Sequence, residues 1–329
     1  MEGADEARPG FLVVAPGLWT TVQDLGRPGY QQYGVPPSGA LDAYALEAAN
    51  RLVGNPPQAA GLEVTLRGPV LRVEFDGLVA CTGADLGFTI DGRPAMMWQA
   101  HRVRPGQVLA FSGRKAGCRA YLAASGGIAV PCVMGSRSTY VRAKLGGLNG
   151  RALANGDRVS VGSPSPGWRE RAGLALPYQL RRFGLPQPVR AILGPQDWMF
   201  TSLAIRRLFG AAYRVSPRSD RMGYRLEGPR LAHRDGADIV SEGIAPGSIQ
   251  VPADGRPIVL LADRQTTGGY AKIATVISAD LDFLAQAAPG DRVTFRKIDV
   301  PGAHRVRRER QELLEEVARF TGTAGLPSA

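Results

Sequence analysis

The chain has 329 residues, of which 44% are hydrophobic, 21% charged and 7% aromatic. That is enough apolar material for two ordinary cores, and it excludes disordered and fibrous classes. The net charge of +11 comes from 36 arginines and only four lysines, Lys115, Lys144, Lys272 and Lys297. Arginine is spread through every segment and not gathered beside stacking aromatics, which excludes a nucleic-acid face as the reading of that charge.

Forty-two glycines and 25 prolines punctuate short β-prone runs such as Val70–Phe75 and Arg292–Phe295. Many short strands with tight turns predict a barrel or sandwich and not a βαβ sheet. The first helix is expected where Leu41, Ala45, Ala48 and Leu52 line one face, stopped by Gly54-Asn55-Pro56-Pro57. A second is expected over about Thr201 to Ala212. A third, over about Val306 to Phe320, carries Val306, Leu313, Val317 and Phe320 on one stripe. The longest aliphatic run, Ile258 to Ala262, falls far short of the roughly 20 residues that span a bilayer. The opening Met1-Glu2-Gly3-Ala4-Asp5-Glu6 is acidic where a signal peptide is basic, so a cytoplasmic protein is expected. Cys81, Cys118 and Cys132 are too widely spaced for a disulfide framework, and His101, His233 and His304 stand too far apart for a metal centre.

The two halves carry matching anchors in the same order. Ala15-Pro16-Gly17-Leu18-Trp19 corresponds to Gly194-Pro195-Gln196-Asp197-Trp198, and Asp24–Tyr30 to Asp220–Tyr224. Leu66-Arg67-Gly68-Pro69 matches Leu226-Glu227-Gly228-Pro229, and Asp91-Gly92-Arg93-Pro94 matches Asp254-Gly255-Arg256-Pro257. Leu122-Ala123 with Gly126-Gly127 matches Leu261-Ala262 with Gly268-Gly269. Gly156-Asp157-Arg158-Val159 matches Gly290-Asp291-Arg292-Val293. The repeat predicts a mainly β protein of two tandem barrels with a few short helices. The first barrel spans 10–165 with a helical insertion, and the second spans 185–300. A C-terminal helix and tail occupy 301–329.

No Walker loop, GxGxxG, GxSxG, HExxH or Met-Lys-Met biotin-attachment sequence is present. Chemistry is concentrated in Asp263-Arg264-Gln265-Thr266-Thr267-Gly268-Gly269-Tyr270-Ala271-Lys272. There the backbone of Thr266–Gly269 can turn several N–H groups toward one anion, and Asp263, Gln265 and Tyr270 add hydrogen bonds. Lys272 can stabilise developing charge. The same string also reads as a polar turn capping a helix over 271–277. In Ser219–Glu227, which includes Tyr224, Arg221 and Arg225 can grip a carboxylate with Asp220 orienting one of them; cross-strand ion pairs are the plainer alternative. Glu242 and Gln250 are expected near strand ends, with Glu242 a general base if burial raises its pKa and Asp263 the other proton-handling candidate. In the first half, Ser38 or Asp42 can cap the first helix, and Arg137 and Arg151 are anion candidates.

Eight strings together resemble the family of 5-oxoprolinase C-type subunits, also described as KipA-like or allophanate-hydrolase-subunit-2-like: QDLGRPGY, GVPPSGALD, ANRLVGN, SRST, GGLNGRAL, SDRMGYRLEG, SEGIAPGSIQVPADGRPI and DRQTTGGYAKIATV. The resemblance implies cyclophilin-like barrels and a partnership with a KipI-like B-type subunit and an A-type one. It implies ATP-dependent opening of 5-oxo-L-proline to L-glutamate, with ATP used by the complex and no cofactor held covalently by this chain. The same family includes the carboxyltransferase part of urea carboxylases, to which a partner delivers carboxybiotin, and regulators that bind a KipI-like kinase inhibitor. The substrate so implied is a small lactam or amide.

Overall fold

The computed structural model describes residues 9–182, 184 and 188–322. The chain is mainly β and divides into two compact units that are not contiguous in sequence. Among the described residues, unit 1 comprises 9–26, 44–182 and 315–322, and unit 2 comprises 27–43, 184 and 188–314. Residues 27–43, which the sequence places within 10–165, therefore fold with the second unit. Of the segment expected as a separate 301–329 helix and tail, residues 323–329 lie outside the described residues, and the rest divides between the units after residue 314.

In unit 1 two antiparallel sheets enclose one core. One orders its strands Arg158–Ser160, Gly10–Ala15, Val70–Val73, Val108–Phe111, Phe88–Ile90 and Arg93–Pro94; the other orders Trp19–Gln23, Gly61–Thr65, Ala116–Ala124, Gly77–Asp85 and Ala100–Val103. Period-2 alternation sends Phe11, Val13, Leu71 and Val73 from one sheet, and Leu62, Val64, Leu122 and Ala124 from the other, into a single cluster. The expected first barrel is thus realised as two facing sheets. Helix α1, Ala43–Leu52, buries Ala45, Ala48 and Leu52 as its stripe predicts and ends before Gly54, whose φ is +79°.

In unit 2 the ladder closes. Strands Val189–Leu193, Lys272–Val276, Ser248–Gln250, Ile258–Leu260, Gly223–Glu227, Ala212–Val215 and Arg292–Lys297 form a barrel, completed by parallel pairing of the last strand with the first. Helix α2, Ser202–Gly210, is capped by the Thr201 hydroxyl, which accepts from the Ala204 N–H at 3.1 Å. Residues 272–276 are a barrel stave, so the alternative helix over 271–277 does not form. The helix that does form beside them, α3 (Ser278–Leu284), lies outside the three the sequence predicts. Its Asp280 and Asp282 are buried against Arg190 and Arg310 and break the apolar pattern a helix should show. Asp282 also accepts the Ala43 N–H at 3.1 Å. Ser38 does not cap: its hydroxyl oxygen is buried without a hydrogen-bond partner. Helix α4, Val300–Phe320, starts six residues earlier than the stripe indicates.

The repeated strings share turn geometry, but the strands that meet those turns are not equivalent in the repeat, since Val13 precedes its Trp19 anchor and Val215 follows Trp198. The Val13 N–H donates to the Asp157 carbonyl and the Gly156 N–H to that of Val13. Val215 makes the same two bonds with Asp291 and Gly290, and both glycines have φ near +90° (+83° and +91°). Gly92 and Gly255 likewise share φ values of +74° and +72°. Gly126 and Gly127 have positive φ, whereas Gly268 and Gly269 lie in a strand. The Trp19 and Trp198 anchors sit beside strands that pair differently with the Gly-Asp-Arg-Val segments, antiparallel in one half and parallel in the other. No helix among the described residues is long and apolar enough to cross a membrane.

Candidate functional site

The site is built on the barrel stave that carries Lys272. In the register, Lys272 lies opposite Gln250 beside an irregularity in the pairing, which puts the two side chains within reach of one another. Just before it, Thr267–Tyr270 leaves the barrel and pairs with Asp238–Gly243 as a two-stranded ribbon, with Glu242 opposite Gly268. The ribbon delivers Glu242 to Lys272: Nζ lies 2.6 Å from Oε1, with the lysine side chain 4% exposed and the glutamate 45%.

A third segment completes the arrangement. The Gly194 N–H donates to the Ile273 carbonyl at 2.9 Å, and a Cβ at position 194 would fall on the carbonyl of Lys272. Glycine is needed here for close backbone approach. The following turn places Gln196 so that its Nε2 donates to Glu242 Oε1 at 2.8 Å and its Oε1 accepts from the Lys272 N–H at 3.2 Å. Gln196 thus spans both members of the ion pair. The sequence marks it only as part of the Gly-Pro-Gln-Asp-Trp anchor, and its position two residues after a glycine of the repeat is the one signal pointing to it. Nearby, Gln265 Nε2 donates to Gln250 Oε1 at 3.3 Å, and Gln250 Nε2 donates to the Tyr270 carbonyl at 3.4 Å. Gly268 allows this packing, because a Cβ there would come within 2.7 Å of Ile244 Cδ1 and 3.0 Å of Gln250 Nε2.

Several expected roles change. Glu242 is exposed, and the Lys272 ammonium, with the Gln196 amide second, holds its carboxyl below the ordinary glutamate value. It is therefore an ionised partner and not a burial-raised base. Asp263 is a sealed structural partner: it takes Arg221 in a bidentate pair at 2.8 and 3.2 Å, both side chains being 8% exposed. Arg221 Nη2 also donates to the Gly39 carbonyl at 2.6 Å. Arg221 is consequently committed, while Arg225 lies exposed on its strand, so the two do not grip one carboxylate together. Asp220 accepts from the Met222 and Gly223 N–H groups and orders its own turn. Tyr224 is 2% exposed and donates its hydroxyl to the Ala287 carbonyl at 3.0 Å, which makes it a core residue. Thr266–Gly269 does not form an anion nest: the Thr266 carbonyl accepts from Ile244, and Thr267, Gly268, Gly269 and Tyr270 are in a strand. In unit 1, Arg151 is bidentate to Asp157 at 2.7 and 2.8 Å, and Arg137 Nε donates to the Val130 carbonyl. The structure therefore brings together Lys272, Glu242, Gln250, Gln265 and Gly268, joined by Gln196.

With this geometry in place, comparison with known proteins assigns the class. The chain belongs to the carboxyltransferase domain family, subdomains A and B, whose model matches residues 33–297. It is 38% identical over 308 residues to the C-type subunit of 5-oxoprolinase from Escherichia coli (strain K12), covering 93% of this chain and 97% of that protein. It is 33% identical to the urea amidolyase of Saccharomyces cerevisiae over 86% of this chain and 16% of that protein. Among solved structures, it resembles the Kluyveromyces lactis urea carboxylase with a TM-score of 0.89 and 30% identity. That match covers 96% of this chain, which spans 30% of the urea carboxylase. These relatives bear the names of enzymes or enzyme subunits.

Proposed function

We propose that this chain is the C-type subunit of a heteromeric, cytoplasmic 5-oxoprolinase that opens 5-oxo-L-proline to L-glutamate. The observation that carries this reading is the end-to-end match to the E. coli protein, 93% of one chain against 97% of the other; the urea amidolyase is matched only in a segment. In this reading water adds to the lactam carbonyl carbon, the C–N bond breaks and the freed amine takes a proton. ATP hydrolysis by the complex drives the step. Lys272 stabilises negative charge developing on the carbonyl oxygen, and ionised Glu242 keeps the lysine charged and in place. The amides of Gln250, Gln265 and Gln196 suit a lactam, which presents one N–H donor and one carbonyl acceptor. The described residues contain no glycine-rich phosphate loop entering a helix, so this reading gives the nucleotide to the partners, a KipI-like B-type subunit and an A-type one.

The test is to purify the protein with its partners and measure glutamate formed from 5-oxo-L-proline with ATP. ATP-dependent glutamate release that is lost in Lys272→Met supports the reading, and its absence from an intact assembly refutes it. A carboxyltransferase is the second reading, favoured by the TM-score of 0.89 against urea carboxylase. It would take carboxybiotin from a partner at the same amide-rich site. A biotinylated partner with bicarbonate-dependent ATP turnover on urea would establish it.

A further inference from the structure

Unit 2 has a buried cation for which none of the described residues supplies an anion. Arg264 is 2% exposed, yet no carboxylate lies within ion-pair distance of it among the described residues. Its neighbours are treated differently: buried Arg221 has Asp263 and buried Lys272 has Glu242. Arg264 Nε donates to the Ile244 carbonyl at 2.9 Å and Nη1 to the Leu261 carbonyl at 3.2 Å. These two bonds fix the plane of the guanidinium without neutralising it. Nη2 makes no hydrogen bond to the described residues, and it is not among the side-chain atoms that are both sealed and unpartnered. It is therefore the one guanidinium nitrogen without a partner among the described residues, and it is not fully sealed from solvent. Burial alone lowers the pKa of this arginine from its ordinary value, with no carboxylate raising it. A charge kept so far from water is costly unless a counter-ion arrives.

Arg264 also stands beside the site. It precedes Gln265, whose amide bonds Gln250 opposite Lys272. Its anchoring carbonyl belongs to Ile244, whose side chain packs over Gly268 in the same cluster. We infer that Arg264 is a binding residue for a small carboxylate, with Nη2 taking one carboxylate oxygen of the substrate while Nε and Nη1 remain tied to the backbone. Resting on the reading above, the ligand is the carboxylate of 5-oxo-L-proline, held at a point separate from the lactam so that the ring is oriented toward Lys272. Guanidinium suits this task, because its planar donors stay charged when partly desolvated.

The experiment uses the protein purified with its partners and compares three probes: 5-oxo-L-proline, 2-pyrrolidinone (the same lactam without the carboxylate) and acetate. Affinity is measured by calorimetry on the wild type and on Arg264→Gln, with inorganic phosphate as a fourth probe. The expected result is that 5-oxo-L-proline and acetate bind the wild type, 2-pyrrolidinone binds far more weakly, and Arg264→Gln weakens 5-oxo-L-proline by about 10- to 100-fold. Equal affinity in variant and wild type overturns the inference, as does a wild type that binds phosphate but no carboxylate, or binds no carboxylate at all. Acetate bound through Arg264 without any binding of 5-oxo-L-proline upholds the carboxylate site and refutes the 5-oxoprolinase reading. Undiminished 5-oxo-L-proline binding and glutamate release in Arg264→Gln do the reverse. If Arg264→Gln does not fold, Arg264→Lys keeps the charge but not the planar fork. It is expected to bind 5-oxo-L-proline several-fold more weakly, and an unchanged affinity again overturns the inference.

Discussion

Two ion pairs of unit 2, both drawn from strings dense in polar residues, have opposite physical characters. Arg221–Asp263 is closed on both sides, each side chain 8% exposed, and is further tied to the Gly39 carbonyl. Lys272–Glu242 is closed on the lysine side and open on the glutamate side, at 4% and 45%. A sealed pair has no room for a ligand, and its value lies in keeping two buried charges from standing alone. A half-open pair can exchange its exposed partner's contacts for those of a substrate at small cost to stability. Charge in a motif thus marks two kinds of residue, and exposure separates them.

The sharpest way to break this distinction is Asp263→Ala. It leaves Arg221 buried without its carboxylate, and is expected to cost about 3–5 kcal/mol of stability, read by denaturant unfolding. Wild-type stability in this variant would mean that the pair is not sealed in solution. Lys272→Met, which keeps the aliphatic stem and frees Glu242 to water, is expected to change stability by less than about 1 kcal/mol. It should reduce glutamate formation by the assembly by about 100-fold. A large loss of folding would make this pair structural too.

A smaller effect follows from the lowered Glu242 pKa. A carboxyl whose pKa is depressed on folding adds stability above its unfolded value, about 4.3, and loses it as pH falls through the folded value. The stability advantage of wild type over Glu242→Gln should therefore be present at neutral pH, begin to fall near the unfolded value of about 4.3, and vanish only once the pH is below the lowered folded value. It should also shrink in high salt, since the carboxylate is exposed. An advantage that persists in acid would deny the ion pair its part. The smallest expected change is in Ser38→Gly, beside the sealed pair. Ser38 has φ +55° and an unpartnered hydroxyl oxygen, and its N–H donates to the Ala262 carbonyl at 3.2 Å. Glycine relieves the left-handed strain without losing a side-chain bond, so stability should rise by up to about 1 kcal/mol. A loss on denaturation would reveal a partner for that hydroxyl.

Local pattern makes much of this legible. The stripe of Ala45, Ala48 and Leu52 locates α1, although Leu41, expected on the same face, precedes the helix and packs in the core of unit 2, and the Gly-Asp-Arg-Val strings mark turns with the same hydrogen bonds in both units. Helix α3 is not legible, because its buried aspartates read as surface residues until Arg190 and Arg310 are known to meet them. The string from Asp263 to Lys272 stands out in the sequence as dense in polar groups, but its parts take other tasks than their residue types suggest. Asp263 faces inward to Arg221, and Gly268 and Gly269 serve close packing in a strand. Arg264 looks ordinary among 36 arginines; only its burial without a carboxylate sets it apart.

What the sequence alone determined is the class of architecture and the family: turn residues, periodicity and repeated strings are local and survive as short-range geometry. Which charges are spent on folding and which are left for chemistry was decided only in three dimensions. Burial and pairing join residues such as Gln196 and Glu242, or Arg221 and Asp263, that lie more than 40 positions apart, 46 and 42 respectively. The free energy of a charge depends on the water and counter-charges around it, and those neighbours exist only once the barrel has closed.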